Sequence, residues 1–192
     1  MPVPNQDALE FLLTRRSRPH KTLKAPAPGA DTLNTLLTAA ARTPDHGKLE
    51  PWRFIVLEHP ALKRLGTLAR TRAAELGHDA DKTDKIAFMF EHAPLSVAVI
   101  ASPKASEKIP KVEQTLSAGA VCLALLNAAL AAGWGANWLS GWPAYDRAFL
   151  TEGLDLDRHE FVAGFIHMGT ETSTPPDRPR PDIDAITTWV SA

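Results

Sequence analysis

The feature that most constrains this chain is a run of apolar residues from about residue 112 to 132. Its helical periodicity leaves almost no polar face, so the helix it predicts must be covered on all sides. The most apolar part, residues 118–132, is shorter than the roughly 20 apolar residues that span a membrane, and it contains Gly119 and Asn127. We therefore predict a core helix that is covered by a sheet on one side and by a partner subunit on another.

The remaining hydrophobic patterns predict helices alternating with short strands. The first helix begins near Asn5 and ends at Arg15-Arg16-Ser17, and a second follows Asp31 as its N-cap and stops before Pro44. Further helices are predicted at about residues 60–76, 82–90 and 143–150, and strands at 52–57, 96–100, 135–139 and 161–168. The order predicts an α+β fold with a single domain over residues 1–192 and a proline-rich arm from about residue 170 to 192.

Composition excludes several functional classes. The 192 residues carry a formal net charge of −1, so no overall field attracts nucleic acid or a membrane surface. Cys122 is the only cysteine and is predicted to be a small buried hydrophobe. The seven histidines show no spacing typical of a metal site, and the start of the chain lacks a secretory signal pattern. We expect a cytoplasmic protein that binds no metal.

Two basic clusters are candidates for binding a phosphate. Arg15, Arg16 and Ser17, followed by Arg18, place several donors at the end of a helix, where guanidinium groups can hold a phosphate. A solvated basic helix end that complements the helix dipole is the other interpretation. The second cluster is the loop of residues 42–52, which carries Arg42 and His46 between a helix and a strand. Taken singly, these residues are more typical of an exposed surface than of a ligand contact.

A third cluster, residues 133–142, interleaves three tryptophans with glycines. Flat apolar side chains beside accessible backbone N–H groups suit a planar heteroaromatic ligand. Ordinary core packing with a dimer contact explains the same composition equally well.

Together the three clusters resemble the nitroreductase family, over nearly the whole chain. Family members carry an Arg-Arg-Ser or Arg-x-Ser motif after the first helix, as at residues 15–17, and a polar loop ending in Pro-Trp, as at residues 43–52. The Pro-Asp-His version of that loop is similar to the small YdjA-like branch, as are Glu-Gln-Thr-Leu-Ser-Ala-Gly at residues 113–119 and the last strand at residues 164–170.

The resemblance implies a mixed, mainly antiparallel sheet in an intertwined homodimer, with FMN at the subunit interface and NAD(P)H as electron donor. Arg15, Arg16 and Ser17 would hold the FMN phosphate and pyrimidine edge, and Arg42 and His46 would reach it from the other chain. Trp138, Leu139 and Ser140 would line the ring, with Leu139 standing where the branch often has Arg. A basic side chain of the arm, Arg178 or Arg180, would touch the phosphate. The chemistry would belong to FMN and not to a catalytic side chain.

The resemblance implies a ping-pong reductase of nitroaromatics, quinones or related acceptors. A second enzymatic interpretation keeps FMN but changes the reaction to reductive dehalogenation or flavin fragmentation, although this short chain leaves little room for the lid such relatives carry. The alternative from another class is a non-catalytic dimeric flavin-binding or scaffold protein.

Overall fold

A five-stranded antiparallel sheet forms the centre of the computed structural model, which describes residues 3–191. The strands are β1 (Leu23–Lys24), β2 (Trp52–Glu58), β3 (Leu95–Ala101), β4 (Gly135–Leu139) and β5 (Phe161–Glu171). Their order is β1-β5-β3-β2, and β4 also pairs with β5. Every pairing in the described part of the chain is antiparallel, which confirms the expected α+β fold with a mainly antiparallel sheet.

The helices of residues 3–191 are α1 (Gln6–Thr14), α2 (Ala30–Ala40), α3 (His59–Glu75), α4 (Ala80–Glu91), α5 (Lys111–Ala131) and α6 (Arg147–Leu154). Helix α1 begins next to Asn5, as predicted, and the side chain of Asn5 caps it by accepting the N–H of Ala8 at 3.1 Å. The prediction of Asp31 as the N-cap of the second helix is wrong, because α2 begins at Ala30 and Asp31 lies in its first turn.

The helix predicted at residues 143–150 is also corrected. A short 3₁₀ turn occupies Trp142–Ala144, and α6 starts only after Asp146. The side chain of Asp146 accepts the N–H of Phe149 at 2.8 Å, and this cap fixes the start of the helix.

Two hydrophobic cores lie on opposite faces of the sheet. Strand β3 is buried along its whole length, and its alternating side chains contribute Ala98 and Ile100 to one core and Val97 and Val99 to the other. Residues of α3, α4 and α6 complete the first core, and residues of α2 and α5 complete the second. Strand β3 is therefore covered on both faces, as its almost wholly apolar sequence requires.

Helix α5 has the length and mean hydropathy, 1.5, of a membrane-crossing segment, yet it packs against the sheet and α2 as a core helix. Cys122 lies on its buried face, as predicted, and burial raises the pKa of its thiol to about 12. The opposite face is apolar and exposed: Val112, Leu116 and Leu123 lie there at 62%, 68% and 44% exposure. One chain therefore covers α5 only in part.

Two further apolar segments are exposed. Leu9, Leu12 and Leu13 of α1 face solvent, and α1 has no buried residue. After Glu171 the chain continues in mostly irregular structure to residue 191, with its large apolar side chains exposed.

Candidate functional site

The segment Arg15 to Arg18 is held against β4. Helix α1 ends at Thr14, and Arg15 turns the chain into an extended conformation. The N–H of Arg18 donates to the carbonyl of Ala136 at 2.8 Å, and the side-chain amide of Asn137 donates to the carbonyl of Arg18 at 2.6 Å. These bonds place the arginines beside the start of β4.

Arg15 and Arg16 are arranged around Ser17, as the sequence motif suggested. A terminal nitrogen of Arg15 donates to Ser17 Oγ at 3.0 Å, and one of Arg16 donates to the Ser17 carbonyl at 3.3 Å. The Nε atoms of both arginines are buried without a hydrogen-bond partner in residues 3–191. Buried donors of this kind are costly when unpaired, so the pair is suited to an anionic ligand.

Positive charge accumulates at this point. Burial lowers the pKa of Arg15, and the charges of Arg180, Arg16 and Arg18 lower it further. Two carboxylates offset the four arginines in part, since Glu171 pairs with Arg18 at 2.9 Å and Asp177 with Arg180 at 2.9 Å. The remaining excess of two positive charges matches a phosphate dianion.

A surface cavity of about 280 Å³ opens beside these arginines. It is lined by Arg15, Arg16 and Arg18 together with Phe11, Thr14, Leu130, Gly133, Trp134 and Glu171. The cavity thus joins the end of α1 to the C-terminal end of α5, and its lining combines charged and apolar side chains.

Arg42 and His46 do not join this cluster within one chain. His46 Nδ1 lies 2.7 Å from Oε2 of Glu113, in the first turn of α5, whereas the arginine cavity touches Leu130 near the last turn. A helix rises 1.5 Å per residue, so these two points are about 26 Å apart. Arg42 follows the end of α2 and is exposed. The structure therefore places His46 and the cluster of Arg15 and Arg16 near opposite ends of α5.

Trp138, Leu139 and Ser140 continue β4 away from Arg18. The Trp138 indole lies directly over Gly164 of β5, where any side chain would collide with it, and it remains partly exposed. The side chain of Leu139 packs against the core and is partly buried, while Ser140 is exposed.

Two carboxylates of the site were not predicted as site residues, although Glu113 begins the motif at residues 113–119. Glu171 binds Arg18 from the end of β5, and Glu113 contacts His46 across 67 positions of sequence. Neither pairing follows a local spacing rule, and only the topology brings these residues together.

Solved structures identify the class of fold. The nitroreductase-like family protein from Bacillus cereus superposes with a TM-score of 0.80 at 21% identity, over 100% of both chains. A nitroreductase with bound FMN from Bacteroides fragilis gives a TM-score of 0.72 at 21% identity, over 96% of this chain and 99% of the other. The chain thus has a nitroreductase-like α+β fold.

Sequence comparison gives the family. The model of the nitroreductase family matches residues 12–170. The Escherichia coli protein named "Putative NAD(P)H nitroreductase YdjA" is 34% identical over 164 residues, 85% of this chain and 88% of that protein. A Haemophilus influenzae protein of the same general name is 37% identical over 166 residues, with the same coverage. The chain belongs to the nitroreductase family.

This membership confirms the resemblance seen in the sequence. It makes the protein an NAD(P)H-dependent oxidoreductase of a family that uses FMN. The enzyme is thereby favoured over the non-catalytic binding or scaffold protein.

Proposed function

We propose that this protein is a cytoplasmic homodimer that binds two FMN molecules at its subunit interface and transfers electrons from NAD(P)H to an organic acceptor. The observation that carries the proposal is the separation of the site into two groups about 26 Å apart along α5. One FMN cannot contact both groups of the same chain. In a twofold dimer, Arg15, Arg16 and Ser17 of one subunit face Arg42 and His46 of the other.

The residues present fit the cofactor. The unpaired Nε donors of Arg15 and Arg16 and the excess of two positive charges suit the FMN phosphate and the electron-rich pyrimidine edge. The arm is also suited to contact the phosphate, because the positive charge of Arg180 is close enough to Arg15 to lower its pKa. The cavity of about 280 Å³ is at the lower limit of pockets that enclose an organic ligand, about 300–1,000 Å³, as expected for one half of a shared site.

The exposed apolar surfaces supply the interface. Val112, Leu116 and Leu123 form a stripe along α5, and the exposed leucines of α1 and the apolar end of the arm add to it. A dimer that covers these surfaces removes apolar area from water, at about 25 cal/mol per Å². The arm, from about residue 170 to 192, would then belong functionally to the interface of a single-domain subunit.

Bound FMN would supply the redox chemistry, which is hydride transfer from NAD(P)H and reduction of an acceptor such as a nitroaromatic compound or a quinone, in alternation at one site. The residues of the chain bind and orient the cofactor and adjust its electrostatic environment. Arg15 and Arg16 stabilise negative charge at the pyrimidine edge. Trp138, with the backbone of Leu139 and Ser140, offers a flat surface and N–H donors.

Mixed dimers test the shared site. One chain carries Arg15→Ala with Arg16→Ala, the other Arg42→Ala with His46→Ala, and two affinity tags allow the mixed dimer to be purified. Each lost charge-assisted contact of an arginine costs about 1.5–3 kcal/mol of FMN binding, so both parent proteins bind FMN weakly. In the mixed dimer one site combines the two intact halves, and fluorescence titration should find one tight FMN site per dimer.

The number of tight FMN sites in the mixed dimer distinguishes a site shared between subunits from a site within one chain. If all contacts came from the same subunit, the mixed dimer would have no tight site. A chain that remains monomeric with a full complement of FMN would also contradict the proposal.

A further inference from the structure

Glu113 forms a contact that the family motif does not explain. Its Oε2 lies 2.7 Å from Nδ1 of His46, while both side chains are partly exposed. One turn further along α5, Ser117 Oγ donates to the carbonyl of Pro44 at 3.0 Å and accepts a hydrogen bond from Trp52 Nε1 at 3.2 Å. The first turns of α5 therefore hold the loop that carries His46 at both of its ends.

The loop itself is under conformational constraint. Lys48 and Glu50 adopt positive φ angles of 55° and 47°, which residues other than glycine rarely do. The N–H of Glu50 donates to Asp45 Oδ2 at 2.9 Å, and Ile109 lies against Gly47. Strain of this kind persists only where the surroundings fix the chain, so the loop is held in one conformation.

The contact with Glu113 also selects a state of the imidazole. An ionised carboxylate can only accept, so the hydrogen bond requires the proton on Nδ1 of His46. Because Nδ1 carries the proton that bonds to Glu113, the lone pair of Nε2 stays available for a further contact. Without a partner, an exposed imidazole would exchange between tautomers and rotamers.

We propose that Glu113 is a positioning residue of the FMN site that acts through His46: it keeps the proton on Nδ1 and presents Nε2 to the cofactor bound by the partner subunit. This inference rests on the proposed function, in which His46 reaches the FMN of the other chain. A purely structural role is the competing explanation, because a carboxylate in the first turn of a helix stabilises it through the helix dipole.

The tautomer of His46 tests the contact without FMN turnover. Long-range ¹H–¹⁵N spectra of protein labelled at histidine, recorded at pH 8.5 and assigned with His46→Ala, distinguish Nδ1–H from Nε2–H. We expect Nδ1–H in the unaltered protein and in Glu113→Gln, whose amide oxygen can still accept. In Glu113→Ala we expect the Nε2–H signature to appear, and an unchanged Nδ1–H signal there would overturn the proposal.

A double-mutant cycle on FMN affinity tests the action through His46. Glu113→Ala should raise the FMN dissociation constant by roughly tenfold, the loss of one hydrogen bond, and Glu113→Gln should restore most of the affinity. The combination of Glu113→Ala with His46→Ala should be no weaker than His46→Ala alone, since the two residues act as a unit. Glu107→Ala, an exposed acidic residue on the preceding loop, is the control and should bind normally.

The possible failures are distinct. If both Glu113 variants lower the melting temperature equally and bind FMN normally, while His46→Ala binds it weakly, Glu113 serves the helix alone and the inference is wrong. If His46→Ala itself binds FMN as tightly as the unaltered protein, the placement of His46 at the cofactor is wrong, whatever the tautomer.

Discussion

His167 shows how one residue can control the response of the protein to acid. It lies on β5 between Ser96 of β3 and Asn137 of β4, fully buried, and neither ring nitrogen has a hydrogen-bond partner in the described chain. Burial, with a smaller contribution from the charge of His20, lowers the pKa of His167 from 6.5 to about 3. The folded protein thus keeps this imidazole neutral at a pH where the unfolded chain binds a proton.

The consequence is a loss of stability in acid. As the pH falls from about 6.5 towards about 3, only the unfolded state takes up the proton at His167, so the free energy of unfolding decreases by up to about 1.4 kcal/mol per pH unit. His167→Leu should remove this contribution and flatten the dependence between pH 6 and 4, as measured by urea unfolding at fixed protein and FMN concentrations. His159→Leu, at an exposed position, is the control, and an equal flattening there would refute the assignment.

At the scale of elements, the proposed subunit interface lies on the exposed apolar stripe of α5. Leu116→Glu places a charge in the centre of its exposed apolar stripe. Burying that charge against a second subunit is costly, so the variant should be monomeric at concentrations where the unaltered protein is dimeric, and should lose FMN. Analytical ultracentrifugation and flavin absorbance measure both effects.

A matched variant guards against a general effect of surface charge. Leu76, at the end of α3, is also an exposed leucine, at 46% exposure, but lies away from the stripe. Leu76→Glu should stay dimeric and retain FMN. Equal behaviour of the two variants would show that α5 does not form the interface.

Elements with a strong local pattern were predicted closely from the sequence. The β4 strand was predicted at its observed bounds, and α5 within one residue, because alternation and helical periodicity depend on neighbouring residues. The two-residue strand β1 was missed, since only its pairing with Thr170 and Glu171 defines it.

The same distinction between local patterns and distant contacts applies to the candidate site. The arginines and the histidine of the motifs predicted anion binding at Arg15 and His46. Their separation along α5 and the partners Glu113 and Glu171 depend on contacts distant in sequence, which no spacing rule contains.

At the scale of the whole molecule, removal of the arm tests whether it contributes to the contact between subunits. Removal of residues 173–192 should preserve the circular dichroism spectrum, because β5 ends at Glu171 and the described part of the arm contains no fully buried residue. The truncated protein should bind FMN roughly tenfold more weakly through the loss of Arg180, and its dimer should dissociate more readily.

Arg180→Ala in the full-length chain separates these effects. It should reproduce the weaker FMN binding and leave the dimer intact, since the apolar end of the arm, with Ile183, Ile186 and Trp189, remains. Truncation without any change in either property would assign the arm no part in the assembly.

Because the proposed binding groups lie at the two ends of α5, the fraction of the protein that holds flavin should depend on the amount of protein present. If the site is shared between subunits as proposed, a lone chain holds only half of the contacts for the cofactor, and dilution below the dimer dissociation constant would release the flavin. At such low expression levels, the number of working sites would grow with the square of the amount of protein synthesised. Doubling synthesis would then quadruple reductase capacity, with no regulator other than mass action.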